Sequence, residues 1–332
     1  MKTMKTAAAL ALLCLAPALA AAQQQPQQQP QQVWQPTRQI KAIVPFPAGG
    51  GTDLMGRLVA KHLSDKLGQQ VFVENIGGAN GSIGVQAVQR AEPDGYTIGV
   101  LSDGPMIVNP ALYPNNPYQT LRDFIPIAMV NRFPSMLTAH PSTGIKTVAD
   151  LIRVAKEKPG TLNYSSGGIG NFSHMGLELL AHQTGIKIVH VPYRGIGPAT
   201  QAILTGEVQL LYNNVATSLE HVKAGKTNGL AIGEAKRMAG LPDTPTIAET
   251  VPGYDFSAWI GIYAPAKTPA PVVARLSKAI ADFLQEPSVQ KYFSEQFITA
   301  SYKDSPEFAA YIQAELVKWD GVVKTAGIKV QP

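Results

Sequence analysis

The chain has 332 residues, 45% of them hydrophobic, and a formal net charge of +5, to which Lys2 and Lys5 contribute two. Lysine and arginine form no dense run, so the sequence does not favour a nucleic-acid-binding face. Cys14 is the only cysteine. It lies in a segment that we expect to be removed, which excludes disulfides, thiol catalysis and cysteine-based metal sites in the exported chain.

Residues 1–22 have the pattern of a Sec-type signal peptide. Lys2 and Lys5 precede a short alanine-rich apolar run, and small-residue cleavage sites follow at residues 18–20 and 20–22. The apolar run is too short for a membrane span, and Leu13 stands where a lipid-attachment site at Cys14 would need a small residue. Residues 23–37, rich in glutamine and proline, are predicted to be a disordered spacer. We therefore expect a soluble mature protein in the periplasm.

From residue 38 onward, strand-like and helix-like segments alternate. The predicted elements of the first part are, in chain order, strand 40–46, helix 53–67, strand 71–76, helix 82–90 and strand 96–102. Thr52 or Asp53 is the expected N-cap of the first helix, and Gly68 ends it. This β-α-β-α-β order favours a parallel sheet covered by helices.

The same alternation returns later in the chain. The predicted elements are helix 147–160, strand 162–166, helix 173–184, strand 186–193, helix 198–206, strands 208–214 and 229–233, and amphipathic helices at 271–285 and from 305 onward. Thr147 and Asp150 have capping-box spacing.

Two strand-like connectors, at residues 125–140 and 256–266, separate these blocks. If both cross between lobes, residues 38–130 and 258–332 form lobe 1 and residues 131–257 form lobe 2. The predicted fold class is therefore α/β, with two lobes joined by two crossing strands. A ligand would bind in the cleft between them, at the carboxyl ends of the strands.

The segment PFPAGGGTD (residues 45–53) lies where the first strand turns into the first helix. Its glycines are consecutive and no lysine follows, so it matches neither a phosphate-binding loop nor a dinucleotide fingerprint. Glycines let a ligand approach the backbone, and a helix starting here would offer its free N–H groups to an anion such as a carboxylate. A tight turn that holds no ligand is an equally good interpretation of this segment alone.

A second segment, YSSGGIGNFSH (residues 164–174), repeats this layout in the other predicted lobe and favours the binding interpretation. Two such turns facing a common cleft predict a ligand with two anionic groups, whose binding would close the lobes. Ser165 and Ser166 would add hydroxyl donors. A third turn, at residues 77–84, is interpreted equally well as structural or as lining the site through Asn80 and Gly81.

Few residues support catalysis. The histidines show no zinc-ligand spacing, and neither a nucleophile elbow nor a recurring carboxylate pair occurs. We therefore predict no enzyme, no metal and no cofactor. His174, in the first turn of its helix, is the histidine expected to reach the cleft. Arg194 is interpreted as a surface arginine that could instead bind a carboxylate, whereas Asn213 is expected to line the site.

The sequence resembles the Bug-type extracytoplasmic solute receptors, the binding components of tripartite tricarboxylate transporters. The segments that carry the resemblance are residues 43–84 (beginning IVPFPAGGGTD), 92–100 (EPDGYTIGV), 163–185 (NYSSGGIGNFSHMGLELLAHQTG), 190–199 (HVPYRGIGPA), 221–232, 241–249 and 264–276. Together they cover nearly all of the chain after the glutamine-rich spacer.

This resemblance implies a type II periplasmic-binding-protein fold. It also implies a ligand carboxylate held by residues 46–52, partly through ordered water, with the other pole of the ligand on residues 165–171. The candidate ligand-binding residues are Phe46, Pro47, Ala48, Gly49, Gly50, Thr52, Asp53, Asn80, Ser102, Ser165, Ser166, Gly168, Gly170, Asn171, His174, Arg194 and Asn213. The implied partners of a monomeric receptor are one large and one small membrane subunit, or a sensor protein where no transporter is encoded nearby.

Two segments depart from the family pattern. YRGIG (residues 193–197) stands where Tyr-Lys-Gly and further glycines are common, and NNVA (residues 213–216) stands where an acidic residue and Asn-Leu-Pro often occur. Losing that negative charge favours an acidic ligand. The sequence does not choose among dicarboxylates, tricarboxylates and aromatic carboxylates.

Overall fold

The computed structural model describes residues 33–326 and 328. The predicted signal peptide and most of the predicted spacer lie outside these residues. Within them, the chain forms two β-sheets covered by helices. The strands are β1 (Ile40–Val44), β2 (Val71–Asn75), β3 (Thr97–Ser102), β4 (Phe124–Phe133), β5 (Ser135–Ala139), β6 (Asn163–Ser166), β7 (Val189–Pro192), β8 (Leu210–Asn214), β9 (Asn228–Ile232), β10 (Ala258–Pro265) and β11 (Thr299–Lys303).

The helices follow the strands in the alternation that the sequence predicts for most of the chain. They are α1 (Gly51–Leu67), α2 (Ser82–Gln89), α3 (Asn109–Leu112), α4 (Thr120–Asp123), α5 (Val148–Glu157), α6 (Phe172–Thr184), α7 (Ile196–Thr205), α8 (Val215–Lys223), α9 (Ala270–Leu284), α10 (Pro287–Glu295) and α11 (Ser305–Ala326). A π-helical turn, Gly104–Val108, leads into α3, and 3-10 turns lie at Ala79–Gly81, Pro141–Thr143 and Ile247–Glu249.

The strand order shows how the chain builds two lobes. The six-stranded sheet has the order β11-β4-β10-β3-β1-β2, and the five-stranded sheet has the order β7-β6-β8-β5-β9. The chain crosses between them from β4 to β5 and again from β9 to β10. We call the part around the six-stranded sheet lobe 1 and the other lobe 2. The predicted two-lobe α/β fold is confirmed, while the lobe bounds 38–130 plus 258–332 and 131–257 stay a prediction.

Both crossings are held by one guanidinium group. Arg132, near the end of β4, donates to the carboxylate of Asp255, which precedes β10, with 3.2 Å between Nη1 and Oδ2. Its Nη2 atom also lies 3.5 Å from a carboxylate oxygen of Glu234, which follows β9. Because a buried charge is costly without partners, this cluster ties the two crossings to each other.

Helix α11 covers a core that both lobes share. Its buried residues Phe308, Ile312 and Trp319 belong to one apolar cluster with Met129 of lobe 1 and Leu179 of lobe 2. The long amphipathic helix predicted from residue 305 is thus confirmed, and it holds the lobes together on its side of the molecule.

The first helix differs from the prediction at its start. It begins at Gly51 with Gly50 as the N-cap, so the expected N-cap at Thr52 or Asp53 is wrong. Asp53 instead occupies the third helical position, from which its carboxylate reaches back to the N–H of Gly49, 2.9 Å away. The predicted end is confirmed, since Gly68 adopts the left-handed conformation with φ of 68°.

Five elements were absent from the prediction: α3, α4, α8, α10 and β11. Helix α8 starts where Asn214 accepts a hydrogen bond from the N–H of Thr217. No helix of the described residues is both long and apolar enough to cross a membrane. Those residues also contain no group of three histidine, cysteine or acidic side chains placed to hold a metal ion.

Helix α1 packs closely against the sheet at Gly56. A Cβ atom at Gly56 would lie 2.8 Å from Cγ2 of Val44 on β1. We expect Gly56→Ala to lower the free energy of unfolding by about 1–3 kcal/mol, because overpacking forces α1 away from β1. Urea denaturation monitored by circular dichroism measures this change.

The matched control is Gly321→Ala on α11, where a Cβ atom would have no neighbour within 4 Å among the described residues. This substitution should raise stability by about 0.5–1 kcal/mol, because alanine favours the helix. Equal stability of the two variants would contradict the close seating of α1.

Candidate ligand-binding site

The first glycine turn links β1 to α1 and is open to solvent. Pro47, Ala48, Gly49 and Gly50 are exposed, and Phe46 is half-buried. In the described part of the chain, neither side chains nor backbone carbonyls accept hydrogen bonds from the N–H groups of the first three residues of α1. Because those groups also carry the positive end of the helix dipole, this end of α1 is suited to an anion.

The carboxylate of Asp53 braces this turn from beneath. It is 2% exposed and accepts hydrogen bonds from Gly49 N–H, from Arg57 Nε at 3.0 Å and from Asn75 Nδ2 at 2.9 Å. Burial opposes its ionisation, but these hydrogen bonds outweigh burial and hold the pKa of Asp53 below its usual value. Asn75 also donates to the carbonyl of Phe46. The structure therefore places Asp53 behind the turn, with its carboxylate already engaged.

The third turn is anchored to lobe 1. Asn80 has φ of 49°, and its Nδ2 atom donates to Oδ1 of Asn109 at 2.8 Å. Asn109 is fully buried and donates in return to the carbonyl of Asn80. This exchange fixes the strained backbone of the turn. Ser102, at the end of β3, is half-buried.

The second glycine turn differs from the first in its hydrogen bonding. The N–H groups of Gly167, Gly168 and Gly170 donate to Ser173 Oγ, Ser166 Oγ and His174 Nδ1, at 3.0 to 3.1 Å. Asn171 caps α6 through the N–H of Ser173. Most N–H groups of this turn are thus hydrogen-bonded to side chains of the same segment. The turn therefore offers a ligand a surface to pack against more than a set of free donors.

Two histidines support the second turn from beneath. The rings of His174 and His190 stack with 3.9 Å between centroids, and His190 contacts the hydroxyl of Ser166 through Nε2 at 2.5 Å. Burial lowers the pKa of His174 to about 3, with a further contribution from His190, and lowers the pKa of His190 to about 4. Both rings are therefore neutral near pH 7. His174 is 3% exposed, and its Nδ1 atom faces the backbone of its own turn.

The remaining predicted residues of lobe 2 divide into buried and exposed ones. Ser165 is fully buried and donates to the carbonyl of Ala199. Asn213 is 2% exposed, accepts from the N–H of Asn214 and approaches Thr200 at 3.4 Å. Arg194 is exposed and forms no salt bridge with the described residues. Of these three side chains, Arg194 is the one whose polar group is open to a ligand in this structure.

The turns of the two lobes meet across the cleft. A Cβ atom at Gly170 would lie 2.9 Å from Leu112 and 3.5 Å from Nδ2 of Asn80, so the second turn touches lobe 1. A cavity of about 240 Å³ between the lobes has Gly51 on one side and Asn214 on the other. The start of α1 and the start of α8 therefore share one cavity.

Comparison with known proteins identifies this architecture. A model of the tripartite tricarboxylate transporter family receptor matches residues 55–328. The chain is 35% identical to protein BugT of Bordetella pertussis over 298 residues, which are 89% of this chain and 91% of BugT. The chain belongs to this receptor family.

Solved structures of similar proteins contain carboxylates. The R. palustris protein Rpa4515 with adipate is 34% identical, with a TM-score of 0.77, 89% of this chain and 99% of that chain being covered. MatC from Rhodopseudomonas palustris with bound malate is 30% identical, with a TM-score of 0.74 and coverage of 87% and 99%. The predicted family resemblance is thus confirmed.

Two residues of this receptor escaped the sequence analysis, and one of them, Phe133, lines the cavity. The ring of Phe133 lies 3.7 Å from the position that a Cβ atom of Gly51 would take. Asn131, two residues earlier on the same face of β4, is fully buried, and neither polar atom of its amide has a partner among the described residues. An asparagine inside the apolar run IPIAMVN was the signal for this position.

The buried histidines predict a pH dependence of receptor stability. Their folded pKa values, about 3 and about 4, lie below the unfolded value near 6.5. Their contribution to stability is therefore present above pH 6.5 and is lost as the pH falls from 6.5 through 4, because the unfolded chain takes up protons first. For His174 we expect a slope of about 1.4 kcal/mol per pH unit within that range.

His174→Asn isolates this contribution. The Oδ1 atom of the introduced side chain can still accept a hydrogen bond from the N–H of Gly170, but an asparagine side chain does not titrate. Urea denaturation at pH 7 and pH 4.5 should show a smaller loss of stability in the variant than in the wild-type receptor. Parallel pH profiles for the two proteins would show that His174 is not neutral in the fold.

Proposed function

We propose that this chain is an exported receptor that captures a small carboxylate in the cleft between its lobes and does no chemistry on it. The observation that carries the proposal is the uncapped start of α1. Gly50 has no side chain to satisfy the first-turn amides, and the braced turn before it holds them toward solvent. A carboxylate there would supply the missing acceptors.

The two poles of the proposed site differ in their roles. The start of α1 binds the carboxylate through main-chain N–H groups, and a second anionic group would bind the exposed Arg194 of lobe 2. Gly168, Gly170 and Asn171 supply shape, because most amides of their turn are occupied. Ser165, Ser166, His174 and Asn213 act as supports of this surface. Related proteins with adipate and with malate support a carboxylate ligand.

The family supports a role in uptake. We propose that ligand binding closes the lobes about the crossings held by Arg132 and that the closed receptor delivers its ligand to the membrane subunits of a tripartite tricarboxylate-type transporter. We also propose that residues 1–22 are the signal peptide that directs the chain to the periplasm.

Gly50→Asp tests the carboxylate pole. Gly50 has φ of −79° and ψ of 167°, which aspartate adopts readily as an N-cap, and a Cβ atom would meet only the Pro47 carbonyl at 3.9 Å. The variant should fold with an unchanged or higher Tm. Its carboxylate competes for the same amides and repels an anion, so affinity for adipate or malate should fall about tenfold or more, as measured by isothermal titration calorimetry.

Gly50→Ala is the matched control, because it adds a Cβ atom without charge or capping ability. We expect its affinity to stay within about threefold of the wild-type value, which is less than the 1.4 kcal/mol of a tenfold change. Full affinity in Gly50→Asp would show that the carboxylate does not bind at α1.

A receptor and an enzyme differ in what happens to the ligand. Incubation with adipate, malate or benzoate should leave each compound unaltered by NMR. A compound that binds should also raise the Tm, since a ligand at 100 times its Kd adds about 2.7 kcal/mol to the free energy of unfolding. Formation of any product at a rate proportional to protein concentration would favour an enzyme of carboxylate metabolism instead.

A further inference from the structure

The cavity beside the start of α1 has uncharged walls that are more apolar than polar. Leu54 and Met55 of α1 face it from lobe 1, and Phe133 lies where β4 leads into the first crossing. The far wall is formed by residues 214–217 at the start of α8 and by Tyr292, Gln296, Phe297 and Ile298 around the end of α10. None of the lining residues carries a charged side chain, so the cavity is suited to the uncharged part of a ligand.

The volume of the cavity is sufficient for a ring. An apolar cavity of about 150 Å³ in another protein binds benzene, and this one measures about 240 Å³. Burying a ring-sized apolar surface is worth about 1.5–3 kcal/mol, which is one to two powers of ten in affinity. A short polar acid would leave this space unused.

One wall of the cavity is held in a strained conformation. Phe297 has φ of 52°, in a region that is unfavourable for an aromatic residue. Its side chain packs against an apolar cluster of lobe 2 that includes Val215 and Ile232. Such strain persists where the surrounding structure imposes it, and it is concentrated at functional sites. The wall is therefore set by contacts from both lobes.

The cavity is continuous with the proposed carboxylate pole. Gly51 contributes an uncapped N–H group to that pole and also lines the cavity. We propose that the cavity is a ligand subsite for a six-membered ring, so that the receptor binds a ring carboxylate. The carboxylate lies on the first turn of α1, and the ring lies between Phe133 and the start of α8. This inference rests on the proposed function of α1.

The subsite is tested by filling it. Ala216, half-buried at the second position of α8, lines the cavity, and Ala216→Leu would occupy it with a branched side chain. The wild-type receptor should bind benzoate and cyclohexanecarboxylate more tightly than acetate, with a negative heat-capacity change that marks apolar burial. In Ala216→Leu, the affinity for these ring acids relative to malate should fall about tenfold or more.

A second variant that fills the cavity and a control variant complete the test. Leu54→Trp fills the cavity from its rim, where Leu54 is 47% exposed, and should produce the same change even if Ala216→Leu folds poorly. Ala274→Leu places the same substitution on an exposed residue of α9 that lines a separate surface groove. The affinities of this control for ring acids and for malate should stay within about twofold of the wild-type values, less than half of the 1.4 kcal/mol of a tenfold change.

The outcomes separate the two proposals. If malate or adipate binds but ring acids bind no better than acetate, the ring subsite is wrong and the carboxylate receptor stands. The same holds if both filling variants bind ring acids as the wild type does. If none of these carboxylates binds the wild-type receptor, the proposed function fails and the subsite fails with it.

Discussion

The buried carboxylate of Asp53 is the interaction on which the first glycine turn depends. A carboxylate that is only 2% exposed must be paired or hydrogen-bonded. Here it accepts hydrogen bonds from the N–H of Gly49 in the turn, from Arg57 in the next turn of α1 and from Asn75 on β2. Since Asn75 also holds the carbonyl of Phe46, both ends of the turn are fixed to the same scaffold. The uncapped amides of α1 keep their direction because this network holds the backbone before them.

The two glycine turns are similar in sequence but differ in which of their N–H groups are left without an acceptor. In both, a strand ends, glycines follow and a helix begins. The first helix has a glycine at its N-cap, whereas the second has Asn171, and the side chains of Ser166, Ser173 and His174 take up the amides of the second turn. The first turn therefore offers unsatisfied donors. The second turn offers a surface whose amides are mostly occupied, with the stacked, neutral histidines beneath it.

Much of the fold could be predicted because its signals are local. Periodic apolar residues such as Met55, Val59 and Leu63 fix α1 on the sheet, and Gly68 and Gly185 end their helices in the left-handed conformation that glycine favours. The N-cap of α1 was mispredicted because Thr52 and Asp53 are both good caps by residue type. The position of Asp53 follows instead from Arg57 and Asn75, and the latter lies 22 residues away.

The parts of the site that the sequence left open depend on contacts between lobes. In the sequence, Phe133 is an ordinary apolar residue of a strand. It lines the cavity only because the fold brings the starts of α1 and α8 beside it. The occupancy of the second turn's amides depends on side-chain rotamers that no spacing rule specifies. Glycine spacing alone gave two equivalent anion pockets, which is why a ligand with two anionic ends was expected.

The difference between the two glycine turns and the uncharged lining of the cavity together indicate how the receptor would select its ligand. Asp53 is paired with Arg57, and Asn213 stands where the family pattern often has an acidic residue. No unpaired negative charge at these positions opposes an anion, which is consistent with the proposed carboxylate ligand. Electrostatics of this kind distinguishes acids by their charge but not acids of equal charge. Under the proposed function, discrimination among acids of equal charge would come from the space next to α1, where each buried methylene adds about 0.8 kcal/mol.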